Sequence, residues 1–260
     1  MAHPRVSIIT INFNNLEGLK QTIASVKEQT YQHIEYIVID GLSDDGSKAL
    51  LEKESEHFNY WVSEKDKGVF NAMNKGIKRA TGDFLLFLNS GDIFTSSDAL
   101  ASYIAHPKCN GDIVYGDYKF KDGGKVYPDT LTPEFFMRSS LPHQSTLIKK
   151  SVFETVGFYD ESYAIIGDRE HFLRAFLNNT FKFSHVPIAL ALFDLTGLSN
   201  KSDFKSQKQQ EDKRMFKQHF GMFYEDYLEF FKLKRQLYIT EGKTVKGMIR
   251  RLIKKIKRLF

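Results

Sequence analysis

The chain has 260 residues and a mass of 30.1 kDa, with 42% apolar and 27% charged residues, the composition of a globular protein able to bury a sizeable core. The single Cys109 excludes an intrachain disulfide and a cysteine-rich zinc site; no apolar run approaches the roughly 20 residues of a bilayer span, and MAHPRVSIIT lacks the pattern of a signal peptide, so the body is expected in the cytoplasm. The formal net charge of +5 belongs to the end of the chain, where residues 243–260 hold eight basic residues and no acidic ones, leaving the first 242 mildly acidic.

Short apolar runs alternate with helical patterns through the first half. RVSIITINF is followed by LEGLKQTIASVKEQ, whose Leu16, Leu19, Ile23 and Val26 keep helical spacing. IEYIVID precedes DGSKALLEKESEH, YWVSE precedes GVFNAMNKGIKRA, and DFLLFLN comes fourth. This alternation predicts an α/β fold of βαβ units around a parallel sheet. No internal repeat or low-complexity segment interrupts it.

Ligands of such sheets bind outside the carboxyl ends of the strands. The four predicted strands end in Thr10, Asn12 and Asn14; in Asp40 and GLSDDGS; in Glu64 and Asp66; and in Asn89, Ser90, Gly91 and Asp92. Each group alone reads as a turn. Four on one edge, rich in carboxylates and amides, point to a polar ligand such as a nucleotide with a metal. In the helix after Lys67, a stripe of Val69, Ala72, Met73, Gly76, Ile77 and Ala80 is expected to be buried, leaving Asn71, Asn74, Lys75 and Lys78 on the other flank. Two asparagines are poor helix formers, and they could hydrogen-bond a ligand near the positive end of the helix.

The segments VSIITINFNN, VIDGLSDDGS, EKDKGVFNAMNKGIKRATGDFLLFLNSGD, HQSTLIKKSVFETVGFYDE and GDREHFLRAF resemble the family-2 glycosyltransferases, most closely the enzymes of bacterial exopolysaccharide, capsule and O-antigen synthesis. The resemblance covers residues 5 to about 195. It implies a GT-A fold, a Rossmann-like mixed sheet flanked by helices, with a UDP- or GDP-linked sugar as donor. Thr10, Asn12 and Asp40 match positions that hold the base and ribose; Asp66, Asn71 and Asn74 match those framing the nucleotide and its diphosphate. Asp92 matches the last carboxylate of the D-x-D motif, which ligates Mn²⁺ or Mg²⁺. Ser90 and Gly91, on the donor side of that motif, stand where many relatives carry acidic residues. Asp168 matches the general base, at the start of a helix whose stripe is Phe172, Leu173, Phe176 and Leu177; it also suits an N-cap. His143 is a candidate contact to acceptor or phosphate. The implied reaction is inverting transfer of the sugar to an acceptor hydroxyl, with a lipid-linked glycan as the acceptor.

The expected organisation is a catalytic domain over 1–200, a helical extension over 201–242 and a basic amphipathic helix over 243–260. In the last, Lys246, Ile249, Arg250, Arg251, Leu252, Ile253, Lys254, Lys255, Ile256, Lys257 and Arg258 place apolar side chains on one face and basic ones on the other. That helix could pack on the protein, lie on an anionic membrane or bind nucleic acid; the membrane is favoured, and nucleic acid is least favoured because no RNA-binding motif appears. The helices of the extension could instead serve a homodimer interface. A sugar-nucleotide nucleotidyltransferase would need a Gly-rich basic loop after the first strand, which INFNNLEG is not. A catalytically inactive, membrane-associated scaffold of the same fold is the remaining alternative.

Overall fold

The computed structural model describes residues 3–194 and 204–243. These residues fall into two compact units, divided between Glu211 and Asp212.

In the first unit the alternating runs form strand β1 (Val6–Asn12), helix α1 (Leu16–Lys27), β2 (Ile34–Asp40), α2 (Ser47–Lys53), β3 (Tyr60–Ser63), α3 (Val69–Arg79) and β4 (Phe84–Phe87). Then follow β5 (Ile93–Phe94), α4 (Ala99–Ala105), β6 (Ile113–Tyr115), β7 (Tyr118–Phe120), β8 (Gly123–Lys125), α5 (Pro133–Arg138), β9 (Thr146–Lys149), α6 (Lys150–Val156), α7 (Gly167–Asn178), β10 (Phe183–His185) and β11 (Ala191–Leu192). The main sheet has seven strands in the order β10-β6-β9-β4-β1-β2-β3. β4, β1, β2 and β3 are mutually parallel, whereas β9 runs antiparallel to both β4 and β6. The sheet is therefore mixed: among its described strands β6 and β10 also pair in parallel, β9 alone runs against the rest, and the four predicted strands are four adjacent parallel members. A second sheet, β5-β11-β7-β8, is built of strands too short to show a periodicity.

Both faces of the main sheet are covered, which is why its central strands read as unbroken apolar runs. On one face Val6, Ile8, Val38, Leu86 and Leu88 pack with Leu19, Ile23 and Val26 of α1 and Leu51 of α2. Each such buried side chain stabilises the layer by roughly 1.5–3 kcal/mol before chain entropy is subtracted. On the other face α3 lies close to β1: a Cβ at Gly76 would stand 2.4 Å from Ile9 Cγ2.

Two helical stripes differ from expectation. Phe70, Ala72, Met73, Gly76 and Ile77 of α3 are buried, but so is Asn74, because the segment 159–161 crosses the helix at that point and hydrogen-bonds it. In α7, Leu177 is exposed, while Arg169, Glu170 and His171 are buried with Phe172 and Leu173. Packing surrounds the first half of α7, so polar side chains are enclosed there.

Helix α8 (Lys205–Phe220) contributes Glu211 to the first unit. In the second unit Phe216 stacks on Tyr224, the first residue of α9 (Tyr224–Lys243). No described helix is long and apolar enough to cross a membrane. The basic amphipathic segment, with the residues from Lys246 to Arg258 named above, lies outside the described residues.

Candidate active site

Parallel pairing puts the ends of β1, β2 and β3 in one row, with Asn12 beside Asp40 and Asp40 beside Ser63. Hydrogen bonds tie the row together. Ser90 Oγ donates to Asn12 Oδ1 at 2.7 Å, Asn12 Nδ2 to Asp40 Oδ1 at 2.7 Å, and Ser63 Oγ to Asp40 Oδ2 at 2.6 Å. Ser43, in the loop after β2, adds its hydroxyl and amide to the same carboxylate. Asp40 thus satisfies strand ends from within and is fully buried. The Thr10 side chain is fully buried, and its hydroxyl donates to Leu88 O at 2.7 Å.

Of the asparagines of α3, Asn74 is buried and Asn71 is half-buried. Asn74 donates to Tyr159 O at 2.9 Å and accepts from Tyr159 N at 3.0 Å, and its amide reaches Glu161 as well. Asn71 accepts from Lys67 N and donates to Glu161 Oε2. Both thus bond the chain leading to α7. Asp66 pairs with Lys75 at 2.6 Å; burial outweighs this partner and raises the carboxyl above its ordinary range. The rim nearby is apolar, with Phe13 and Leu42 exposed, and a Cβ at Gly41 would stand 3.2 Å from the Phe13 ring.

After β4 the chain turns sharply, Asp92 N donating to Asn89 O at 2.8 Å. Gly91 has φ of 103°, a left-handed conformation that favours glycine, and its amide donates to Thr22 Oγ1 of α1 at 2.9 Å. The turn delivers Asp92 into a buried corner, where desolvation pushes its carboxyl up to about 6. Asp92 Oδ1 accepts from the amide of Asp194, |i−j| = 102 along the chain, at 2.9 Å. The Asp194 carboxylate overhangs Gly91 so closely that a Cβ there would be 2.5 Å from it. Antiparallel pairing of β11 with β5 brings this second carboxylate beside Asp92. Asp194 carries no signal in the sequence, because ALFDLTG opens with a strand of two residues, too short to recognise.

His143 joins this corner to α7. It begins a short 3₁₀ turn, His143–Ser145, just before β9. Its Nε2 lies 3.2 Å from Asn89 Nδ2, and its Nδ1 3.3 Å from Asp168 Oδ2. With Asn89 donating to Nε2, the ring hydrogen is on Nδ1 and is given to Asp168. Burial disfavours the charged imidazole, but the hydrogen bond and charge of Asp168, with Asp92 behind them, prevail and raise its pKa. Asp168 is the second residue of α7, which starts after Ile166 without a side-chain cap, so it is not the N-cap. His143 thus links Asp168 to Asn89, three residues before Asp92, whose charge also acts on the ring.

Residues 7–169 match the family described as Glycosyl transferase family 2. The chain belongs to glycosyltransferase family 2. An uncharacterized glycosyltransferase of Mycobacterium tuberculosis is 36% identical over 205 residues, which is 76% of this chain and 78% of that protein. A PGL/p-HBAD biosynthesis glycosyltransferase of Mycobacterium bovis is 29% identical over 212 residues, 77% of this chain and 81% of that protein. Two solved structures share the GT-A fold. S. aureus TarS 1–349 in complex with UDP-GlcNAc aligns with a TM-score of 0.63 at 18% identity, over 82% of this chain and 66% of that one. The mannosyltransferase PcManGT from Pyrobaculum calidifontis, in complex with GDP-Man and Mn²⁺, aligns with a TM-score of 0.64 at 16% identity, over 84% of this chain and 64% of that one. This glycosyltransferase thus spans less than two thirds of either solved chain.

Two carboxylates and an amide oxygen meet in this corner, although among the described residues no group of three or more His, Cys, Asp or Glu side chains is placed to hold a metal ion. Asp92 and Asp194 offer carboxylate oxygens, and Asn89 Oδ1 is buried without a hydrogen-bond partner among the described residues. Oxygen donors of this kind match Mg²⁺ or Mn²⁺, which also take phosphate oxygens and waters.

Proposed function

We propose that this glycosyltransferase is an inverting, metal-dependent enzyme that moves a sugar from a UDP- or GDP-linked donor to an acceptor hydroxyl on a lipid-linked glycan, in bacterial surface polysaccharide synthesis. The observation that carries this reading is the convergence of Asp92, His143 and Asp168. Asp92, with Asp194 and Asn89 at hand, would hold the metal at the donor diphosphate. The bound cation would neutralise charge developing on the leaving group. The row of Asn12, Asp40 and Ser90 would shape the nucleotide pocket, with Phe13 and Asp66 at its rim.

Asp168 takes the proton of the acceptor hydroxyl, and the oxygen attacks the anomeric carbon opposite the diphosphate. The bond to the diphosphate breaks with its electron pair, so the configuration inverts in one displacement. His143 orients the receiving carboxylate through Nδ1. Attachment to an anionic membrane through residues 243–260 would bring the site to its acceptor; the support is the alternation of apolar and basic residues in that segment.

Calorimetric titration of the full chain with UDP and with GDP, each with and without Mn²⁺, tests the reading. Metal-dependent binding of one nucleotide, lost in Asp92→Asn, is the expected result. Binding of neither would overturn it.

A further inference from the structure

Glu211 lies in QKQQEDKR, a stretch with the composition of a solvent-facing helix, yet only 8% of it is exposed. Its carboxylate receives three consecutive backbone amides from the segment just before α7. Ala164 N donates to Oε1 at 2.9 Å, and Ile165 N and Ile166 N donate to Oε2 at 3.0 and 3.2 Å. One turn earlier in α8, Gln207 Nε2 lies 3.3 Å from Oε1 and helps fix the side chain. The contact joins residues |i−j| = 45 apart at its closest in sequence.

The other side of the segment has no slack. A Cβ at Gly167, the first residue of α7, would lie 2.8 Å from the Phe70 ring of α3. Further back, Tyr159 and Glu161 are held by Asn74 and Asn71. Ile166 offers no side-chain cap to the helix it precedes. The entry to α7 is thus pinned between α3 and a carboxylate supplied from beyond the mixed sheet, and Asp168 follows Ile166 by two residues.

We propose that Glu211 is a positioning residue for catalysis: it anchors the amides of residues 164–166 and so sets where the Asp168 carboxylate meets the acceptor. The inference rests on the assignment of Asp168 as general base. It gives the start of the C-terminal extension a place in the active site, so that a catalytic domain cut at residue 200 would bind its donor and transfer poorly. A carboxylate is suited to this because its two oxygens accept all three amides at once. A glutamine keeps one such oxygen but turns a donor toward the remaining amide, and alanine leaves all three without this partner.

The test uses Glu211→Ala, Glu211→Gln and Asp168→Asn in the full chain. Each is measured for nucleotide affinity and stoichiometry by calorimetry, kcat for transfer per nucleotide-binding site, and hydrogen exchange of the amides of residues 164–166. Misplacing a reacting group by about 1 Å can lower rate by about 10²-fold. Glu211→Ala should therefore lose kcat by about that factor while nucleotide affinity stays within about twofold, with Glu211→Gln between it and the parent. Exchange at 164–166 should accelerate in the same order. Referring kcat to nucleotide-binding sites removes any loss due to unfolded protein. Parental kcat in Glu211→Ala, with Asp168→Asn inactive, would overturn the positioning role alone. Transfer retained by Asp168→Asn would overturn the base assignment and this inference with it.

Discussion

Individual side chains in this glycosyltransferase are governed by what burial does to charge. Asp168 touches an imidazole, and under the proposed role of general base Asp168→Asn should lower kcat by about 10² to 10⁴ with donor affinity preserved. His171, three residues along the same helix, has a structural part instead: it is fully buried and stacked on Phe153 with ring centroids 4.5 Å apart. Burial, with Arg174 adding to it, lowers its pKa from 6.5 to about 3. The folded state therefore holds this ring neutral, whereas the unfolded chain protonates it below its ordinary pKa. Its contribution to stability is complete above about pH 6.5 and is lost as pH falls toward 3, at up to about 1.4 kcal/mol per pH unit. Urea midpoints measured between pH 7 and pH 4 should fall less steeply in His171→Phe than in the parent.

Among the elements, α3 shows how closeness and propensity oppose each other. Alanine at Gly76 would favour the helix by about 1 kcal/mol, but its Cβ would meet Ile9 Cγ2 of β1 at 2.4 Å. Overpacking a dense core costs about 1–3 kcal/mol, so the net effect of Gly76→Ala should be destabilising, read as a lower urea midpoint at unchanged m-value. The same proximity explains why the two asparagines are used. With α3 pressed on the sheet, its flank meets the 159–161 segment, and amides that can donate and accept fasten a backbone there. The sequence sets Asn71 and Asn74 apart from ordinary surface residues of a helix, but the burial of Asn74 and the bonds of both to the 159–161 segment depend on that distant segment and have no local signal.

For the whole molecule, the charge distribution separates a mildly acidic body from a basic end. A chain ending at Thr240 should partition onto vesicles containing anionic lipid less than the full chain does, and the difference should shrink as salt screens the attraction. Equal partitioning would remove the membrane from the proposed function. By itself the sequence determined the four adjacent parallel strands β4, β1, β2 and β3, because β1, β2 and β4 are buried on both faces and must read as apolar runs ending in polar corners. It also singled out Asp92 and Asp168 as candidates, because turn chemistry and family motifs are local. The tertiary structure alone decided that β9 enters antiparallel between β4 and β6, that Asp194 lies beside Asp92, that His143 links Asn89 to Asp168, and that Glu211 anchors the entry to α7. Each of these depends on pairing between distant segments, and no local spacing encodes which carboxylate is solvated and which is buried against another strand or helix.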